Sequence, residues 1–323
     1  MKKEFSFTAK LLILSICALL AIILYMTIGV KFGNERLVSY AMKIRTPKLI
    51  AMLIVAFAIS ASSIVFQSII NNTIVTPCLL GMNALYTLIH TSIVFVFGIG
   101  SVLVTNSNFA FFVDTILMGI IATFLYSFLF KKTNNNVLYV LLIGTVLTSL
   151  FGSIQNTLTR AMDPNDYQTL LVTLIASFSH VNSKIIIASV ALLSLIIFML
   201  RKDLKMLDVI TLGRNQAINL GVDYERTIRH LLLGVTLCIA VATALVGPLS
   251  FMGLIVANLA RQLFKTYKHS ILITASTLFG MIVLIGGQLI VERIFVYEIP
   301  ISVFISVAGG IYFLYLLLIQ KKA

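Results

Sequence analysis

Uninterrupted apolar runs of about 18 to 22 residues, separated by short polar stretches, recur along the whole chain. Wound as an α-helix at about 1.5 Å per residue, such a run crosses a hydrocarbon core about 30 Å thick. In lipid every backbone N–H and C=O must be paired internally, so the runs are either helices or strands of a closed barrel. Barrel strands alternate apolar and polar residues every second position, and these runs do not, so the expected fold is all-α. Candidate spans fall at 11–30, 48–70, 79–100, 109–130, 137–159, 183–200, 230–247, 251–266, 271–291 and 300–319. The expectation is a polytopic membrane protein of about ten transmembrane helices, with residues 1–323 forming one transmembrane domain. The Gly247-Pro248 boundary leaves open one span or two. Met1-Lys2-Lys3 precedes an apolar run longer than the core of a cleaved signal, so that run is read as a retained first span.

Charge orients the plan. Only 11% of residues are charged, against about 25% in soluble domains. The net charge of +13 comes from lysines and arginines in short loops at span ends, which is topogenic charge rather than a nucleic-acid footprint. With the N-terminus inside, the inner side holds Lys2, Lys3, Lys10, Lys131, Lys132, Arg201, Lys202, Lys205, Arg214, Arg226, Arg229, Arg261, Lys265, Lys268, Lys321 and Lys322. The outer side holds half as many: Lys31, Arg36, Lys43, Arg45, Lys48, Arg160, Lys184 and Arg293. Both termini are therefore expected on the cytoplasmic side. Two stretches do not span. The outer one, 161–180, offers Asp163 as a cap and Pro164 as the first residue of a short helix. The inner one, 201–229, is the longest hydrophilic stretch.

Polar residues recur at helical spacing inside two spans. Gly144, Thr148, Gly152, Gln155 and Thr159 share one face of the fifth, widened by Thr145, Ser149, Ser153 and Asn156. Ala56, Ser60, Ser63, Gln67 and Asn71 do the same in the second. Small residues of this kind pack helices closely, whereas amides are poor lipid-facing groups and line a path as readily as they bridge helices. Translocation-path candidates are Gln67, Asn71, Thr148, Gly152, Gln155, Asn156 and Thr159. No ionisable group stands convincingly at a span centre, Asp114 and the Glu292-Arg293 pair lying near outer ends, which argues for an external energy source over ion coupling. No phosphate-binding G-x-x-x-x-G-K-[ST], H-E-x-x-H or G-x-S-x-G occurs. Cys17, Cys78 and Cys238 form no C-x-x-C, and His90, His180, His230 and His269 are scattered, so no metal site or disulfide framework is expected.

Three segments carry a resemblance. Arg45-Thr46-Pro47-Lys48 opens the second span and is followed by Gln67, Asn71, Pro77 and Gly81. Leu212-Gly213-Arg214-Asn215-Gln216-Ala217-Ile218-Asn219-Leu220-Gly221-Val222 lies in the inner stretch. Gly247-Pro248-Leu249-Ser250-Phe251-Met252-Gly253-Leu254-Ile255-Val256 precedes Leu259-Ala260-Arg261. In order and spacing these resemble the iron-siderophore and cobalamin importer permeases of the FecCD-type ABC family. The chain departs from the family pattern at Lys48, Asn72, Ala257-Asn258 and Pro300-Ile301-Ser302, which resembles a divergent ferric-siderophore branch.

The resemblance implies a bacterial cytoplasmic membrane permease subunit moving a ferric siderophore by alternating access. It implies a second permease subunit (related chain or self), two ATPase subunits that bind ATP and Mg, and an extracytoplasmic siderophore-binding protein. It implies no cofactor or iron ligand on this chain, because the siderophore holds the metal. It assigns ATPase coupling to Gly213, Arg214, Ala217, Leu220 and Gly221, with the small Ala217 allowing close entry into the ATPase cleft and Gly221 ending a short helix at positive φ. It assigns binding-protein docking to Arg45, Lys48 and Arg293. A cobalamin or haem permease, a secondary transporter and a membrane enzyme are the alternatives.

Overall fold

The computed structural model describes residues 7–30, 33–132, 137–178, 181–296 and 299–320. Lys2, Lys3, Lys31, His180, Lys321 and Lys322 lie outside the described residues, as does the side chain of Lys131. The described backbone is helical, with no strand among the described residues. The helices are α1 (Phe7–Thr27), α2 (Glu35–Ile70), α3 (Met82–Phe97), α4 (Val102–Thr105), α5 (Ser107–Lys132), α6 (Val137–Ala161), α7 (Pro164–Leu174), α8 (Ser183–Ile210), α9 (Arg214–Asn219), α10 (Tyr224–Val246), α11 (Met252–Leu263), α12 (His269–Arg293) and α13 (Ile301–Gln320), with a 3-10 turn at Pro77–Leu80. Ten of these coincide with the expected spans, and α4, α7 and α9 occupy connections. Among the described residues α1, α2, α5, α8, α10 and α12 are long and apolar enough to cross a membrane.

The bundle is organised around α2. Its apolar window is 83% buried, against 11% for α1 at the periphery. It packs against α8, α10, α11 and α12. The stripe Ala56, Ser60, Ser63 and Gln67 explains this, because small side chains let backbones approach. A Cβ on Gly280 would stand 2.7 Å from Ser60 Oγ, and one on Gly253 would collide with Ser63. Ser60 Oγ also donates to the Ser276 carbonyl at 3.0 Å.

Two boundaries correct the sequence expectation. The second span does not open at Pro47: α2 begins at Glu35 and runs 36 residues, with Pro47 inside it. Asn34 caps it by accepting from Arg36 N at 3.0 Å, and Glu35 complements the helix dipole in the first turn. Pro47 removes only the bond to the Lys43 carbonyl, which a long, well-capped helix tolerates. The second correction is α11, whose 12 residues reach about 18 Å and cannot span. The chain breaks before it. Gly247, at φ +93, ends α10 with its backbone against Ala176, where a Cβ would sit 2.8 Å from Ala176 Cα. Ser177 N donates to Val246 O at 2.9 Å, so the segment after α7 satisfies the broken end. The expected start of α7 is observed: Pro164 is its first residue and Asp163 accepts from Asn165 N at 2.9 Å.

Candidate coupling, translocation and docking sites

α8 continues ten residues past its expected end and delivers the chain to α9. Gly213 at φ +101 and Gly221 at φ +83 bracket that six-residue helix. Val222 N donates to Ala217 O at 3.0 Å and Gly221 N to Ile218 O at 2.9 Å. This paired closure requires a left-handed residue at 221, which glycine supplies without steric cost. Ala217 is fully buried, so its side chain packs against this chain and not into a partner cleft as its small size suggested. The outward face carries Leu212, Ile218 and Leu220, at 53%, 46% and 63% exposure. Arg214 Nε reaches Glu225 Oε1 at 3.3 Å, both exposed.

The path candidates fall in two places. α6 packs on α3 and on the 3-10 turn. Gly144 abuts Leu80, whose Cα would lie 3.2 Å from an added Cβ, and Gln155 Oε1 accepts from Thr87 Oγ1 at 3.0 Å. Thr148, Gly152, Gln155 and Thr159 are half-buried along this flank. The adjoining flank exposes Thr145, Ser149, Ser153 and Asn156, a polar strip left open on the outside of the chain.

Gln67 and Asn71 are elsewhere, at the end of α2 opposite Glu35. Asn71 ends α2 in the left-handed conformation, at φ +54. Gln67 Nε2 donates to Thr73 O at 2.6 Å, while its Oε1 accepts from Arg261 Nε at 3.1 Å. Arg261 Nη2 donates to Ser68 Oγ at 3.0 Å, and His269 Nε2 lies 2.8 Å from the same oxygen. His269 Nδ1 meets Asp208 Oδ1, which also accepts from His269 N at 3.0 Å. Gln67, Ser68, Asn71, Arg261 and His269 border a cavity of about 190 Å³.

Arg45, Lys48 and Arg293 do come together. Arg45 Nη1 donates to Tyr25 O at 2.7 Å and Met26 O at 3.2 Å, and Nη2 donates to Ile28 O at 2.9 Å. Arg293 Nη2 donates to Ile28 O at 2.6 Å. The two guanidinium groups therefore cap the carbonyl end of α1. Lys48, 8% exposed, pairs with Glu292 at 3.7 Å, and Glu292 also accepts from Gln288 at 2.9 Å. All three expected docking cations are thus engaged within the chain by geometry that the motif alone could not reveal.

The sequence reading passed over a buried pair, His90 and Asp114. His90 Nδ1 lies 2.8 Å from Asp114 Oδ2, and His90 Nε2 lies 3.3 Å from Thr173 Oγ1, tying α3, α5 and α7 together. It also passed over the His269–Asp208 contact. Both pairs join helices far apart in sequence, so no periodicity signalled them.

The FecCD transport family matches residues 5–319. The chain is 40% identical over 290 residues to the petrobactin import system permease protein YclO of Bacillus subtilis (strain 168), covering 88% of this chain and 90% of that one. It is 31% identical to the petrobactin import system permease protein FatC of Bacillus anthracis, covering 87% and 79%. A solved metal-chelate type ABC transporter in an inward-facing conformation superposes with a TM-score of 0.77 at 21% identity, over 97% of this chain and 99% of the other, and shares the fold. With a family match along almost its full length and relatives at 40% and 31% identity, the chain belongs to the FecCD transport family.

Proposed function

We propose that this chain is the membrane-spanning permease subunit of an ATP-binding-cassette importer that moves a ferric siderophore across the bacterial cytoplasmic membrane. Petrobactin is the first cargo to test, because the relatives at 40% and 31% identity are petrobactin import permeases. The observation that carries the reading is α9, whose outward Leu212, Ile218 and Leu220 stand on a rigid turn in the most cationic inner stretch. One of the two ATPase subunits binds there, with Gly213, Arg214, Leu220 and Gly221 shaping the contact and Ala217 anchoring it from behind. ATP and Mg are held by those subunits, and this chain hydrolyses nothing.

The open strip of α6 faces a second permease subunit, and the path runs between the two. A weakly binding polar lining of Thr145, Ser149, Ser153 and Asn156, with half-buried Thr148, Gly152, Gln155 and Thr159 at its edge, suits a large polar chelate better than a tight site. Alternating access follows when the pair rocks about this gap. On the outer face a binding protein docks beside the Arg45–Lys48–Arg293 cluster, through exposed Arg293 and the neighbouring exposed Arg36 and Lys43.

The test is uptake of radio-iron-loaded petrobactin by vesicles holding the purified complex. ATP-dependent accumulation, abolished by Gly221→Arg, is expected. Accumulation that follows an ion gradient without ATP overturns the reading.

A further inference from the structure

We infer that Asp208, His269, Ser68, Arg261 and Gln67 form a polar relay carrying motion of the ATPase-facing helix α9 to the path helix α6. This inference rests on the proposed coupling role of α9 and names the positioning residues that make it act at a distance.

Each link is a short contact between different elements. Asp208 lies in the last turn of α8, three residues before the Thr211–Gly213 hinge that leads into α9. Lys268, the residue capping α12, supplies no side-chain cap, and Asp208 fills that role from α8 by accepting from His269 N at 3.0 Å. The same carboxylate oxygen meets His269 Nδ1. His269 Nε2 lies 2.8 Å from Ser68 Oγ, whose hydroxyl also donates to Ile64 O at 2.8 Å. Ser68 accepts from Arg261 of α11 at 3.0 Å, and Arg261 grips Gln67 at 3.1 Å. Gln67 then donates to Thr73 O at 2.6 Å, which Asn258 Nδ2 also reaches at 3.0 Å.

Thr73 lies in the loop leading into the 3-10 turn, and that turn is wedged on α6. Leu80 abuts Gly144, a Cβ on Gly81 would sit 2.8 Å from Thr148 Oγ1, and Tyr126 OH donates to Leu80 O at 2.6 Å. Ser68 is buried, and so are the His269 and Gln67 side chains, so these contacts are shielded from competing water. A displacement of α8 relative to α12 cannot occur without moving this chain of partners or leaving buried polar groups unpaired.

The test uses the assembled complex in lipid discs, with Cys17→Ala and a reporter, Ser153→Cys, on the exposed strip of α6. Labelling of the reporter by a membrane-impermeant maleimide is timed with and without ATP and vanadate. With the relay intact the rate changes at least about fivefold on trapping. In Ser68→Ala the change falls below about twofold, while the ATPase co-purifies in the same amount and still hydrolyses ATP. Asp208→Ala, at a carboxylate 41% exposed and therefore tolerant of truncation, gives the same uncoupling and stands in if Ser68→Ala does not assemble. A retained fivefold response in Asp208→Ala, or hydrolysis lost together with the response, overturns the relay. An absent response with the relay intact also overturns it. Failure of the parent chain to bind any ATPase overturns the proposed function instead, and the relay with it.

Discussion

The two ends of this bundle treat their conspicuous residues in opposite ways. At the end of α8 and α9 the chain closes a rigid turn and leaves Leu212, Ile218 and Leu220 outward. At the end where α1 meets α2 and α12, Arg45 is drawn inward onto α1 carbonyls and Lys48 is buried against Glu292. An exposed apolar side chain costs free energy until something covers it, whereas a guanidinium on a helix end already has its partners. Under the proposed function the first region meets a partner, whereas the buried cations of the second hold the molecule together.

That contrast can be broken by experiment. The largest effect is expected at Lys48→Met, which leaves Glu292 uncompensated and should destabilise the purified chain by about 3 kcal/mol in denaturant titrations. Adding Glu292→Gln should restore more than half of that loss. If Lys48→Met instead leaves stability intact and weakens the binding protein's grip, the outer cluster is a docking surface and the contrast fails. Next comes Leu220→Asp, which should weaken ATPase association by about 2 kcal/mol, roughly 30-fold, with unfolding unchanged. A loss of chain stability there would mean that Leu220 belongs to the core. The smallest effect is expected at Lys43→Glu, on the exposed rim of the outer cluster. It should slow binding-protein association a few-fold at low salt, with the difference fading as salt rises. An effect that persists at high salt would place Lys43 in a buried contact.

Much of the architecture could be read from the sequence, because bilayer thickness and helical rise fix run length. The places of the ten apolar helices, the Pro164 start of α7 and the left-handed Gly221 follow from local rules, but the shortness of α11 does not. What could not be read depends on groups brought together from distant positions. Pro47 looked like a helix opening because proline commonly is one, yet Asn34 had already capped α2. Gln67 looked like a path residue because amides are costly in lipid, and no local rule showed that Arg261, 194 positions away, bonds it. Ala217 looked like an entry point because it is small, and its smallness instead lets α9 lie against α8 and α10. The α6 strip was correctly periodic, but periodicity names a face and not what covers it.

The central claim is that α9 is the surface an ATPase grips. It is tested most directly by placing a photo-crosslinker at position 220 in the intact complex and identifying what it captures. The account predicts a crosslink to an ATPase subunit whose yield changes on ATP trapping. A complex that forms and hydrolyses ATP while position 220 captures only lipid, or only this chain, would contradict it.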